Sequence, residues 1–84
     1  MNLINTSGEK FKIIRDGSEV KETLGLRHQK RNKKFIGFQP DEDIRINDVL
    51  YRVITEEKFK VTNIEKHVVF GQINQILVYC DLVK

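Results

Sequence analysis

Residues 44–53 read IRINDVLYRV, and the apolar side chains change phase in the middle of them. In an extended chain successive side chains point to opposite faces. Ile44 and Ile46 therefore share one face. Beyond Asn47-Asp48 the phase shifts, and Val49, Tyr51 and Val53 alternate with Leu50, Arg52 and Ile54. One residue of slip moves every side chain to the other face. Asn47-Asp48 therefore marks a bulge or a tight turn, and Asn47 tolerates the left-handed backbone that such a site needs.

Strand spacing extends outward from this point in both directions. Upstream, Phe11 and Ile13 alternate with Lys12, and Asp16-Gly17 follows at once. An Asp-Gly pair between two such runs predicts a two-residue hairpin, because both residues accept positive φ. The second arm is expected over Ser18 to Leu24, with Val20 and Leu24 inward. A short helix over 19–28 is the competing reading, weakened by Thr23 and Gly25. Ile36 and Phe38 share a face, and Pro40 ends their run because proline cannot donate to a ladder. Downstream, Thr55-Glu56-Glu57 is a polar turn and residues 58–62, KFKVT, alternate cleanly. His67 to Phe70 reads as a short strand and Gly71 to Asn74 as a turn. The last run, Gln75 to Val83, is apolar on both phases, which suits a central strand or one packed on a partner. The fold class expected is all-β: a small barrel or a strongly bent antiparallel sheet of five to seven short strands.

The stretch FIGFQPDEDIRINDVLYRV, followed by KFKVTNI, resembles a pattern of small β-barrel modules over Phe38 to Ile64. The pattern joins an acidic residue and an isoleucine to a Gly-Asp turn that leads into a barrel strand. Src-homology-3-like modules carry it, as do head–tail joining and other structural proteins of tailed phages and some domains carried on mobile elements. Asn47 stands where the pattern prefers glycine. The resemblance implies a barrel that serves in binding or assembly, encoded by a phage or mobile element. It names no activity.

Eighty-four residues are read as one small domain, 1–84, with residues 1–8 as a flexible lead-in. The single cysteine, Cys80, permits no internal disulfide. No apolar run approaches the roughly 20 residues of a membrane span, and the N-terminus lacks the basic and apolar regions of a signal peptide. The expected location is the cytoplasm, or the assembled virion for a phage protein, with no membrane partner.

Charge is unevenly spread. Residues 27–34, RHQKRNKK, hold five of the 15 Lys and Arg and none of the 12 Asp and Glu, so the remainder, ten against twelve, is net −2. Arg27, Lys30, Arg31, Lys33 and Lys34 are the candidate contacts to an acidic protein surface or to nucleic acid, on a loop between strands. Asp41, Glu42 and Asp43 form a counter-run.

Catalysis has no visible constellation. A nucleophile needs a base and an orienter beside it; Cys80 lies in the most apolar run, and His28 and His67 are far apart in sequence. No cluster has metal-ligand spacing, and the five glycines form no phosphate loop. The expectation is a non-enzymatic binding or assembly module, without cofactor, metal or evident small-molecule substrate. Its partner would be another protein or a further copy of itself. The alternative is a nucleic-acid-binding barrel that uses residues 27–34 for weak, non-specific contact. Asp16, Gly17, Asn47 and Asp48 are the expected structural turns.

Overall fold

Asp16 and Gly17 both adopt positive φ, 53° and 79°. They turn β1 (Glu9–Arg15) into β2 (Ser18–Lys30), with Arg15 opposite Ser18. This is the mirror-image turn whose twist matches that of the flanking strands. The computed structural model describes residues 8–30 and 33–83, so residues 1–7 of the expected lead-in lie outside the described residues, as does Arg31. Four further strands follow: β3 (Lys33–Phe38), β4 (Val49–Arg52), β5 (Glu57–Val69) and β6 (Gln72–Val83). Two antiparallel meanders, β1–β2–β3 and β4–β5–β6, close on each other through β1–β4 and β3–β6. The chain is thus a closed, six-stranded, antiparallel, all-β barrel. Closure pairs the strand edges that so small an open sheet would expose.

The phase change at Asn47-Asp48 has a structural cause. Asn47 has φ 77° and is the third residue of a turn closed by the Asp48 amide donating to the Arg45 carbonyl at 3.0 Å. Positive φ at that position defines a type II turn. The Asn47 amide donates to the Val61 carbonyl at 2.9 Å, and the Val61 amide donates to the Asp48 carbonyl at 2.8 Å. Two residues therefore face one, which is a β-bulge with its first residue left-handed. Leu50 consequently points into the core, while Ile44 is buried from the irregular segment 39–48 and Ile46 is left exposed.

Asp48 is buried and fully occupied. It accepts from Arg15 Nε and Nη2, both at 2.9 Å, and from the Arg45 amide at 2.9 Å. Arg15 Nη2 also donates to the Asp43 carbonyl at 3.1 Å. One arginine of β1 thereby fastens segment 39–48 across one end of the barrel.

The inner faces supply Phe11, Ile13, Ile36, Phe38, Ile44, Leu50, Val61, Ile76 and Val78, all buried. The rings of Phe11 and Phe38 meet edge to face at 5.8 Å. Gly25 makes this packing possible: a Cβ there would lie 2.7 Å from the Phe38 ring and 2.8 Å from Ile36.

Several expectations are corrected by the structure. β2 is thirteen residues long and runs to Lys30, so neither an arm ending at Leu24 nor a helix over 19–28 is present. Val20 is exposed because it is the extra residue of a bulge, between the pairs Ile13–Lys21 and Ile14–Glu19. That bulge puts Thr23 and Gly25 on the inner face in place of Val20 and Leu24. Of the basic run, Arg27–Lys30 and Lys33–Lys34 are not loop but strand, the closing half of the β2–β3 hairpin, paired up to Lys30 opposite Lys33, while residues 31–32 lie outside the described residues. Its charges do not prevent this, because a strand half out of the core asks only that its outward side chains find neighbours. The chain turns at Phe70-Gly71 instead of over 71–74, and the strands on either side are long.

Asn47→Gly is expected to be neutral or stabilising, and Asn47→Val to cost about 1–2 kcal/mol, because a β-branched residue is strained at φ 77°. Urea unfolding of the two variants measures this; a Val variant as stable as the parent would contradict the assignment of the turn.

Candidate functional site

β5 and β6 are longer than the barrel needs, and each end of their hairpin makes a distinct feature. At one end β3 stops pairing with β6 at Phe38–Ile76, and β4 stops pairing with β5 at Val49–Lys60. Beyond Lys66 and Ile76 the two strands continue alone as a ribbon. Four residues at about 3.3 Å each carry it roughly 13 Å past the last barrel pair. At its tip Val69 faces Gln72, and Phe70 and Gly71 make the turn with φ 51° and 75°. Val68, Val69 and Ile73 are exposed and Phe70 is fully so, at 101%.

A left-handed backbone is costly for a bulky residue, about 1–2 kcal/mol, and an Asn-Gly pair is the usual solution for such a turn. Here an aromatic residue holds the first position with its ring in water. The sequence reading missed this finger because VVF was taken for an ordinary strand end. The signal was there: three consecutive apolar residues before a glycine break the alternation that a half-buried strand requires.

At the other end the barrel splays open. Pairing between β3 and β6 ends at Phe35–Tyr79, while β6 continues to Val83 paired only with β5. The β2–β3 hairpin diverges from it and leaves a cleft of about 840 Å³. Phe35, Ile36, Phe59, Tyr79, Cys80 and Leu82 give it apolar walls, with Arg27 and Lys34 on one side and Glu65 and Asp81 on the other. An aromatic row crosses the outer face here. His28 stacks on Phe35 at 5.2 Å, and Phe35 meets Tyr79 at 5.5 Å. The Tyr79 hydroxyl donates to Glu65 at 3.2 Å, and burial, reinforced by Glu65, pushes its pKa up.

The candidate cations divide. Arg27 Nε lies 2.8 Å from Glu9 Oε1, and the same carboxylate accepts from Arg52 Nε and Nη2 at 2.8 and 2.9 Å. These bonds raise the Arg52 pKa. Arg27 is therefore already neutralised. Lys34 is exposed on the cleft and has no ion-pair partner among the described residues. Lys30 and Lys33 face each other at the end of the hairpin, and Arg31 lies outside the described residues. Asp16, Gly17, Asn47 and Asp48 sit at the two turns described above. Of the acidic run, Glu42 pairs with Lys21 and Asp43 with Arg45 and Arg15.

The possible nucleophile and bases are not assembled. Cys80 faces inward opposite Val61, His28 is stacked on the outer face, and His67 lies on the finger beside Gln75. Among the described residues no three His, Cys, Asp or Glu side chains are grouped to hold a metal ion, and no helix is long and apolar enough to cross a membrane. Comparison of the chain with protein-family models, with curated proteins and with solved structures gives no match.

Burial, and to a lesser degree Asp81, pushes the Cys80 thiol up to about 11. Since the thiolate is the reactive form, labelling by a thiol reagent at about pH 8 is expected to be more than roughly a hundredfold slower in the native protein than in denaturant. Fast native labelling would show an accessible, activated thiol.

Proposed function

We propose that this barrel is a non-enzymatic assembly module that docks onto protein through the β5–β6 finger. The observation that carries the reading is Phe70, a fully exposed aromatic residue held at φ 51° on a projecting tip. Backbone strain persists where something other than the stability of the isolated chain maintains it. An exposed apolar patch on a small protein marks a contact site, and aromatic residues are the usual anchors of such contacts. A lipid surface fits less well. Membrane-binding tips are flanked by several cations that meet anionic headgroups, whereas the finger carries Lys66 alone and Asp41, Glu42 and Asp43 leave the barrel at the same end. The resemblance of Phe38–Ile64 to structural proteins of tailed phages and to mobile-element domains supports an assembly role, and on this reading the protein is phage- or prophage-encoded and works in the host cytoplasm or in the virion.

The aromatic row His28–Phe35–Tyr79 beside Lys34 favours a second reading, single-stranded nucleic acid, since such binders combine stacking rings with a cationic groove. Glu65 and Asp81 on the same cleft oppose it, and Arg27 is already neutralised by Glu9.

Two predictions test the finger. Phe70→Asn creates Asn-Gly in the tip turn and is expected to raise the stability of the isolated protein by about 1 kcal/mol. A photo-crosslinking benzoyl-phenylalanine at position 70 is expected to give discrete protein adducts in the producing cell, with none from the same group at Ile54, exposed at 72%. Adducts no more abundant than at position 54 would remove the finger as a docking element.

For nucleic acid, losing Arg27 leaves four cations in the run and a log–log salt slope no steeper than about −3.6, at roughly −0.9 per phosphate. Fluorescence anisotropy with single-stranded and duplex DNA is expected to show no submicromolar binding at about 150 mM salt. Such binding, abolished by changing Lys30, Arg31, Lys33 and Lys34 to Ser, would put the second reading first.

A further inference from the structure

Finger and cleft are the two ends of one hairpin. β5 enters at Glu57 beside the cleft and leaves at Val69 on the finger, and β6 returns from Gln72 to Val83 along the same line. A chain does not fill its own cleft: the finger runs straight on from the cleft wall as a paired ribbon, and Val69 lies four extended steps, about 13 Å, beyond Glu65, the lining residue of β5 nearest to it. The cleft, about 840 Å³ with Phe35, Phe59, Tyr79 and Leu82 on its walls, accommodates an aromatic ring and the valines beside it.

Charge follows the same axis. β3 runs from Lys33 at the cleft end to Phe38 at the finger end, so the described basic residues of 27–34 and the acidic run 41–43 stand at opposite ends of the barrel, Asp41 being the residue of that run with no ion pair among the described residues. On the finger itself, residues 66–76 carry Lys66 and no carboxylate. The cleft keeps Glu65 and Asp81 against Lys34 once Arg27 and Glu57 are matched by Glu9 and Arg52.

We infer that the partner of the finger is a second copy of this chain: Phe70, Val68 and Val69 of one copy enter the cleft beside Tyr79 and Leu82 of the next, and the acidic end of the first meets the basic hairpin of the second. The inference rests on the assembly reading above and names its partner. Because the two surfaces differ, the contact is head to tail, and it propagates as a ring or a filament instead of stopping at a two-fold dimer. A phenylalanine buries roughly 150–250 Å², well under the about 800 Å² per partner of a standard interface. A single contact is therefore weak and concentration-dependent, and it depends on the charged ends.

Single-cysteine chains test the geometry. In a Cys80→Ala background, Gln72→Cys marks the finger without removing Phe70, and Leu82→Cys marks the cleft; both positions are exposed in the described structure. The two purified proteins are oxidised separately and as a mixture, and disulfide-linked dimers are counted by mass. The expected result is a mixed disulfide at least about tenfold more abundant than either self-disulfide, lost when Phe70→Asn is added to the finger-marked chain and reduced at high salt. If Cys80→Ala does not fold, Cys80→Val, which keeps an apolar side chain of similar size facing the core, supplies the cysteine-free background. Dominant self-disulfides of Gln72→Cys would show a tip-to-tip contact and overturn the inference, and so would the absence of any disulfide. In that last case photo-adducts from position 70 of a mass other than a second copy would leave the assembly reading standing with a different partner, whereas no adducts would remove both.

Discussion

The pair formed by Arg15 and Asp48 sets the geometry on which the finger end of this barrel depends. Asp48 is 3% exposed, and a carboxylate taken out of water that far is costly unless it is paired and hydrogen-bonded. Two guanidinium bonds and the Arg45 amide serve both of its oxygens. The bond to Asp48 also raises the Arg15 pKa. Surface pairs such as Lys10–Glu22 and Lys12–Glu19 lie between exposed side chains at 3.8 and 3.5 Å and contribute little by comparison. The buried pair has a positional role: it holds segment 39–48 against β1, so that Asn47 and Asp48 face Val61 as a bulge. That bulge puts Leu50 and Val61 into the same core, and beyond Val61 β5 runs on without β4.

The finger follows from that release. A barrel of this size closes with strands of about six residues, and β3 has six and β4 four. β5 and β6 have thirteen and twelve. The surplus at one end is the finger, and at the other it is the cleft wall, which β3 leaves unpaired on one side. The two are produced together by the same offset of one hairpin against its neighbours. A protein built in this way presents an apolar projection and an apolar recess at a fixed separation, with acids near the first and bases near the second.

Much of the fold was legible in the sequence, for reasons specific to particular residues. Asp16-Gly17 and Asn47-Asp48 announce their turns because few residue types tolerate φ of 53° to 79°. The alternation at Lys58–Thr62 survives because one face is wet. β6 is apolar on both phases because it lies between β3 and β5 and its outer Tyr79 packs on Phe35. The basic hairpin was illegible as strand, since its pairing rests on backbone bonds and on two contacts invisible in sequence, His28 on Phe35 and Arg27 on Glu9. Val20 was assigned to the wrong face because nothing local marks a bulge made by an ordinary valine. The finger was hidden for a related reason: apolar residues without a core to enter look, in sequence, like apolar residues with one.

The most direct measurement is sedimentation velocity of the purified protein from about 10 μM to about 1 mM, the range in which a single weak contact is resolved. Head-to-tail docking predicts an average mass that rises from 9.9 kDa with concentration, does not plateau at the dimer, and falls back to the monomer at high salt. A mass fixed at 9.9 kDa at every concentration, or one that stops at the dimer, would contradict the account.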